Sequence, residues 1–313
     1  MNLRDLRYLV AVADKRHFGQ AAAACFVSQP TLSTQLRKLE ETLEVQLVER
    51  SSRQVRLTPM GEAVAARARE ILRLSSDLVD FARSQGDPLA GELRLGLLPT
   101  IAPYLLPHLV PMMRAELPRL RVSLIEEQTR DCLTGLAAGT IDAAMVALPV
   151  EGADRYAGTF LYREPFVLAL PAGRQHEGRL EPVTADLATL ADQPILLLEE
   201  GHCLRDQALD VCALAGAREA SGFRATSLET LRQLVVAGVG ITLLPALAAE
   251  LSRSNAEAIE LRRFHAPEPY RDIHLIWRRA YAGAPALERL VQLVQSLPAV
   301  RRLGDVRDDA VNG

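Results

Sequence analysis

Phe18 to Leu43 reads FGQAAAACFVSQPTLSTQLRKLEETL, and its spacing decides the architecture of the N-terminal part of the chain. FGQAAAAC predicts a short helix, slim enough through its alanines to pack closely against neighbours. Phe26-Val27 then turns the chain. Ser28 is a good N-cap and Pro30 is acceptable only in a first turn, so a second helix starts here. It continues through LSTQLRKLEETL and buries Leu32, Leu36 and Leu39 on one face. Ser28, Gln29, Pro30, Thr31, Ser33, Thr34 and Arg37 lie at the helix start and along the opposite face. These types suit phosphates and base edges in a major groove, and two short helices across a tight turn make a helix-turn-helix. The same pattern also suits a small helical bundle with a solvated polar face.

Outward from this core the pattern continues. Leu3, Leu6, Leu9, Val10 and Ala13 recur at helical spacing and predict an opening amphipathic helix. Val48 to Leu57 (VERSSRQVRL) reads as two short strands around a basic turn, a wing that would lay Arg50, Arg53 and Arg56 beside the DNA backbone or minor groove. Thr58 caps the next helix and Pro59 opens it, with a run to about Gln85. Val64, Ile71, Leu74, Leu78 and Phe81 form a seam near heptad spacing, interrupted by Arg67. A second copy of the chain or its own C-terminal part would cover that seam. GDPLAG, from Gly86 to Gly91, is a hinge.

Net charge over the 313 residues is −3, which alone argues against a nucleic-acid binder. The distribution reverses that reading, because residues 1–60 carry nine basic and six acidic groups while the rest is acidic by six. A basic head on an acidic body implies separate jobs. No run of about 18 apolar residues exists to span a membrane, and the N-terminus has no signal-peptide pattern. Cys25, Cys132, Cys203 and Cys212 are too few for a disulfide scaffold and have no metal-type spacing, so no cofactor is expected and the cytoplasm is the expected compartment.

After Gly91 short apolar runs alternate with helical stretches. ELRLGLL at Glu92–Leu98, Val122–Glu126, Ala143–Leu148, Phe166–Leu170, Ile195–Leu198, Ile241–Leu244 and Ile273–Trp277 are of strand length. Tyr104–Leu117, Thr129–Ala138, Ala185–Ala191 and Glu288–Leu297 read as helices. This rhythm predicts an α/β body with mostly parallel sheets in two subdomains. Ligands in such sheets sit beyond the carboxyl ends of strands, where Thr100 and the stretch Glu199 to Cys203 both fall. No P-loop, GxGxxG, HExxH or GxSxG is present, which leaves nucleotide-binding and hydrolase readings without support.

EGHCLRDQALDVC places Cys203 at the start of a predicted helix, between His202 and nearby Arg205. The helix N-terminus, His202 and Arg205 all favour a thiolate, the form that attacks oxidants, and Thr100 is a candidate donor to a bound peroxide. Asp206 is placed either to orient the loop or to oppose the thiolate. Cys212 lies nine positions on. On one helix that spacing means about 13.5 Å of rise and about 900° of turn, so the two thiols point to opposite faces. A disulfide requires Cα atoms about 4.4–6.8 Å apart, so the pair cannot bridge unless the helix unwinds. Cys212 also reads as ordinary packing beside Val211, Ala213 and Leu214, and Cys25 and Cys132 read as structural.

Residues 17–62, with the SQPTLS helix start, the LVERSSR wing and the LTPMG helix entry, resemble the DNA-binding head of LysR-type transcriptional regulators. The resemblance implies a winged helix-turn-helix, helix-mediated dimers, and a sensor like the periplasmic binding proteins. LLPTIAPYLLPHLVP, EGHCLRDQALDVC and FRATSLETLRQLVVAGVGITLLPALA resemble more narrowly the sensor of the peroxide-responsive OxyR subgroup. That likeness implies Cys203 as the peroxidatic thiol, Cys212 as the resolving thiol, and Thr100, Thr129, His202 and, through PEPYRD, Arg271 as the peroxide pocket, with Asp206 beside it.

The implied protein is a cytoplasmic homotetramer, a dimer of dimers on double-stranded promoter DNA, that works with RNA polymerase and controls oxidative-stress defence genes. Hydrogen peroxide is the sensed molecule, and a thiol reductant such as glutaredoxin or thioredoxin resets it. The expected domains are a winged helix-turn-helix at 1–58, a linker helix and hinge at 59–90, a redox-sensing body at 91–300, and a tail at 301–313. The body divides into one subdomain at about 91–163 and 270–300 and another at about 164–269. Two other readings stand beside this one: a LysR-type regulator answering a small-molecule co-inducer, and a thiol peroxidase using Cys203 and Thr100.

Overall fold

A computed structural model describes residues 1–49, 55–84, 89–172, 185–186, 190, 193–216, 218–220, 223, 225–252, 259–279, 281 and 283–303. By contact the chain separates into two units, Met1–Asp87 with Ala137–Thr140, and Pro88–Leu136 with Ile141–Gly313.

The first unit opens with α1 (Leu3–Lys15), α2 (Phe18–Ala24) and α3 (Gln29–Leu43). Each helix start is fixed by a side chain. Asn2 and Asp5 form a reciprocal capping box, Nδ1 of His17 accepts from the amides of Gly19 and Gln20, and Ser28 accepts from the amide of Thr31. Between α2 and α3 the exposed Phe26 takes a left-handed φ of 55°, which reverses the chain in a few residues. Leu6, Leu9, Val12, Leu32, Leu36, Leu39 and Leu47 make the core. Strands β1 (Val48–Glu49) and β2 (Arg56–Leu57) pair antiparallel as the base of the expected wing. Arg50 and Arg53 lie outside the described residues. Oε1 of Glu40 on α3 accepts from the amides of Leu47 and Val48 at 2.8 and 3.1 Å, tying the wing to the helix.

The long helix α4 (Pro59–Ser84) begins under a Thr58 cap, whose hydroxyl donates to the Gln46 carbonyl and accepts from the Gly61 amide. Gly61 is needed there for close approach, since a Cβ would stand 2.0 Å from the Leu47 carbonyl oxygen. Of the predicted seam, Ile71, Leu74 and Leu78 are exposed within this unit and Val64 is half-buried, while the side chain of Phe81 lies outside the described residues.

In the second unit, β3 (Gly91–Leu97) pairs in parallel with β4 (Leu120–Glu126) and β5 (Ala143–Leu148), with α5 (Ala102–Glu116) and α6 (Thr129–Ala138) as crossovers. Then β6 (Ala157–Pro171) pairs with β11 along its first part and with β9 and β10 along its second. The remaining elements are β7 (Pro194–Ile195), α7 (Cys203–Ala215), β8 (Arg218–Glu219), α8 (Leu228–Val236), β9 (Thr242–Pro245), α9 (Ala246–Ser252), β10 (Ile259–Arg263), β11 (Tyr270–Trp277), α10 (Ala284–Ser296) and α11 (Pro298–Arg301). The main sheet has the order β10-β6-β11-β5-β3-β4, with β9 also on β6.

The expectation of mostly parallel sheets is corrected here. β11 runs antiparallel to both β5 and β6, and β9 and β10 are antiparallel to β6. A β-α rhythm fixes the direction of strands joined by helical crossovers, but not that of strands returning from the other lobe. The predicted helix at 185–191 also fails at its first residue, because Ala185 bridges Phe264 and exchanges backbone hydrogen bonds with Arg263 and His265. No helix among the described residues is long and apolar enough to cross a membrane.

Gly61→Ala drives a methyl into backbone that cannot retreat without shifting the wing, an overpacking cost of about 1–3 kcal/mol. A lower thermal unfolding midpoint together with weaker DNA binding checks this. Full retention of both would contradict the close approach.

Candidate functional site

Thr100 and Thr129 follow the carboxyl ends of neighbouring parallel strands, β3 and β4, and both are buried. This is where an α/β sheet presents its loops to a ligand. Arg271 and Glu164 reach the same region by a different route. They are cross-strand partners in the β11–β6 register, so their side chains leave the same face of the sheet.

The result is a buried polar cluster. Oε2 of Glu164 accepts from Nε and Nη2 of Arg271 at 2.9 and 2.7 Å. The same guanidinium donates through Nη1 to the Thr100 hydroxyl at 2.9 Å and through Nη2 to the Thr100 carbonyl at 3.0 Å. Side-chain exposure is 0% for Arg271 and 1% for Glu164, so solvent does not screen the pair. Burial pulls the Arg271 guanidinium downward, but Glu164, Tyr162 and Cys203 together outweigh it, and the group is held above its ordinary value. The Thr100 oxygen is used as an acceptor, which leaves its O–H free to donate elsewhere.

Cys203 heads α7 and is half-buried, close enough to contribute to the charge environment of both Arg271 and Cys132. The approach to it is a turn in which Gly201 has φ 98° and leans on Gln128, whose Oε1 would meet a Cβ at 2.5 Å. The next residue, His202, is buried at the N-cap position of α7, makes no side-chain cap bond, and faces the Gln128 amide at 3.4 Å through Nε2. An amide nitrogen only donates, so the His202 ring accepts there. Gln128 directly precedes Thr129, which places the first turn of α6 against the Gly201-His202 turn that leads into α7. The Thr129 hydroxyl is buried without a hydrogen-bond partner among the described residues, as is that of Tyr162.

Two expected contacts are not made. Arg205 does not serve the thiol: Nη1 and Nη2 donate to the two carboxylate oxygens of Glu219 at 2.7 and 2.8 Å, and Nη1 also reaches the Leu198 carbonyl. Asp206 is exposed on α7, outside the buried cluster. Glu164, Tyr162 and Gln128 were not among the predicted site residues. The available signal was a carboxylate inside the apolar strand run YREPFVLAL, where an unpaired charge is not tolerated.

Cys212 is buried on the same helix as Cys203, and all four cysteines are free thiols. Burial pushes the Cys212 thiol up to about 11. Burial, with Glu127, Asp131 and Cys203, pushes that of Cys132 up to about 12.

On the helix-turn-helix, Ser28, Gln29, Pro30, Thr31, Thr34 and Arg37 are exposed at the start and along one face of α3, with Ser33 half-buried. The hydroxyls of Ser28 and Thr31 also bond each other at 2.8 Å.

Residues 3–62 match the bacterial regulatory helix-turn-helix protein, lysR family, and residues 86–298 match the LysR substrate binding domain. The chain belongs to the LysR family of bacterial regulators. Within that family its relatives include OxyR proteins. The DNA-binding transcriptional dual regulator OxyR of Escherichia coli is 45% identical over 299 residues, covering 96% of this chain and 95% of that protein. A full-length OxyR variant from Pseudomonas aeruginosa superimposes with a TM-score of 0.78 at 36% identity, over 96% of this chain and 97% of that one. A hydrogen peroxide-bound OxyR mutant from Corynebacterium glutamicum gives a TM-score of 0.64 at 35% identity, over 96% and 93%.

Two outcomes follow from the buried groups. Thr129→Val removes a hydroxyl that has no partner while keeping its shape, so stability is unchanged or rises by about 1 kcal/mol, read by denaturant unfolding. A loss of more than that would mean the hydroxyl is bonded. For the thiols, the unfolded chain ionises near the ordinary value of 9.0 while Cys212 holds its proton to about 11. Folded protein therefore keeps more protons in that window, and stability falls as pH rises from about 9 to about 11. Below pH 9 these thiols contribute no pH dependence, and Cys132→Ala and Cys212→Ala each flatten the alkaline slope.

Proposed function

We propose that this protein is a DNA-binding transcriptional regulator that senses hydrogen peroxide through Cys203 and answers by forming a Cys203–Cys212 disulfide. The observation that carries the reading is the setting of Cys203. It heads a helix, beside a buried Arg271–Thr100 pair, with a second buried thiol on the same helix but out of reach.

The chemistry uses groups already in place. The Cys203 thiolate attacks one peroxide oxygen and the O–O bond breaks, giving a sulfenic acid on Cys203 and hydroxide, which is protonated to water. The Thr100 O–H and the Thr129 hydroxyl, which has no partner among the described residues, supply hydrogen bonds for a small oxygen ligand and its leaving oxygen, and Arg271 holds Thr100 in place. His202, anchored by Gln128, fixes the turn that presents the thiol. Cys212 then attacks the sulfenic sulfur, the disulfide forms and a second water leaves. The long helical rise separates the two sulfurs, so the bond forms only as α7 comes apart, and oxidation is thereby converted into a change of fold.

The output is binding to double-stranded promoter DNA. Gln29, Thr31, Ser33, Thr34 and Arg37 meet the major groove from α3, with Ser28 and Pro30 setting the helix start and Arg50 and Arg53 reaching the backbone from the wing. The exposed Ile71, Leu74 and Leu78 of α4 support pairing with a second copy, and two such pairs would make a homotetramer that spaces four heads along the operator. Contact with RNA polymerase, control of oxidative-stress defence genes, resetting by glutaredoxin or thioredoxin, and residence in the cytoplasm complete the reading. The protein acts as a regulator and not as an enzyme, since the thiol is consumed once per switching event.

A co-inducer reading is disfavoured for anionic ligands. The cleft beside His202, ≈ 580 Å³, is lined by Glu126, Glu127, Glu199 and Glu229, with no lysine or arginine among its described lining residues. Like charge would repel a carboxylate inducer.

Treating the protein with peroxide and mapping its peptides should yield Cys203 joined to Cys212. Cys203→Ser should abolish the oxidised species, and Cys212→Ser should stop at the sulfenic acid. Full induction by Cys203→Ser in response to peroxide would overturn the reading. On the DNA side, Arg37→Ala should weaken binding across operator sequences and reduce the salt slope by about 1 if it holds a phosphate. Unchanged affinity at every salt concentration would remove Arg37 from the interface.

A further inference from the structure

Glu164 lies where β6 changes partners. Residues up to Pro165 pair with β11, while Phe166–Ala169 pair with β9 and Val167–Pro171 with β10. Its two carboxylate oxygens are divided between these regions. Oε2 takes both N–H donors of Arg271 on β11, and Oε1 takes the amide of Leu247 in the first turn of α9 at 2.9 Å. Leu247 is itself buried, so this amide has no water to turn to. One fully buried carboxylate thus holds the arginine that grips Thr100 and, with its other oxygen, the start of a helix in the other part of the sensor.

We infer that Glu164 is a positioning residue of the thiol site: it fixes the Arg271 guanidinium against Thr100, offsets its charge beside Cys203, and ties that arrangement to α9. The inference deepens the peroxide-sensing reading and rests on it for what the site reacts with.

The charge part of the argument has a sign. Arg271 and Glu164 together are neutral, so Cys203 meets a compensated pair rather than a bare cation. Replacing the carboxylate by an isosteric amide leaves the guanidinium uncompensated, and a nearby unopposed positive charge favours the thiolate. From the neighbouring elements, Arg271 of β11 and Cys132 of α6 interact electrostatically with Cys203, and Glu164 and Tyr162 of β6 act on Arg271. His202 and the Arg205–Glu219 pair with Asp206 belong to its own segment. Of these, only Glu164 changes charge in the substitution. The geometric part has a sign as well. A glutamine has one acceptor oxygen and cannot serve both Arg271 and Leu247, so the grip on Thr100 loosens and the peroxide step slows.

The test uses full-length reduced chains and two readouts, the pH profile of Cys203 alkylation and the rate of Cys203 oxidation by hydrogen peroxide. Glu164→Gln is expected to move the alkylation profile to lower pH. It should also slow peroxide oxidation about tenfold, despite the larger thiolate fraction, since loss of a positioned donor typically costs at least that much. A general loosening of the fold would not separate the two readouts in opposite directions. Glu164→Asp keeps the charge and shortens the reach, so it should leave the alkylation profile in place while slowing oxidation, and it serves equally if the glutamine variant does not fold. Unchanged profile and rate in either folded variant would overturn the inference. The alkylation readout needs no peroxide. If the parent Cys203 failed to react with peroxide, the sensing reading would fail while the alkylation profile still decided the role of Glu164.

Discussion

An α-helix advances about 1.5 Å per residue, and a disulfide tolerates Cα atoms no more than about 6.8 Å apart. Cys203 and Cys212 occupy the first and tenth positions of a 13-residue helix, and these two figures cannot be reconciled while the helix stands. Much else in the sensor follows from that conflict. Cys203 is half-exposed at the helix start, a setting that suits the attacking role proposed for it. Cys212 is buried, with its proton held to about 11, which on the proposed reading keeps it unreactive while the helix stands. The start of α7 has no side-chain cap, in contrast to Asn2, Ser28 and Ser227 at other helix starts, while its end is closed by a left-handed Gly216.

The surroundings of the moving segment are built in the opposite way. Arg271, Glu164 and Thr100 are locked by charge-assisted bonds where solvent does not reach, and stranding either charge would cost about 3–5 kcal/mol. Such a cluster is expensive to assemble, and it holds its donors at fixed places. On the proposed reading, these rigid donors recognise the oxidant and the thiol helix carries the response. The acidic lining of the adjacent cleft opposes anionic ligands, a repulsion that a small neutral ligand does not meet.

Much of this was legible in the residues. The helix-turn-helix was carried by Ser28, Pro30 and the Leu32-Leu36-Leu39 stripe, local signals that the fold keeps. Strands β3, β4 and β5 and helix α6 stood out because each is short, apolar or amphipathic, and bounded by turns. What was not legible depends on distant pairing. The first half of β6 is a strand because β11 lies beside it, and the Ala185 segment is extended because Phe264 bridges it. Arg205 was misjudged for the same reason, since its partner Glu219 arrives from across a strand pair that no local pattern announces. Glu164 escaped notice although a charge amid apolar strand residues was visible, because its importance depends on the 107-residue separation from Arg271 closing into a cross-strand pair.

The central claim is that the α7 helix and the Cys203–Cys212 bond exclude each other, and amide hydrogen exchange over residues 203–215 in reduced and fully oxidised protein tests it most directly. Protection should be present in the reduced chain and lost through this segment once the disulfide has formed. Equal protection in both states, with the disulfide verified in the same sample, would contradict the account.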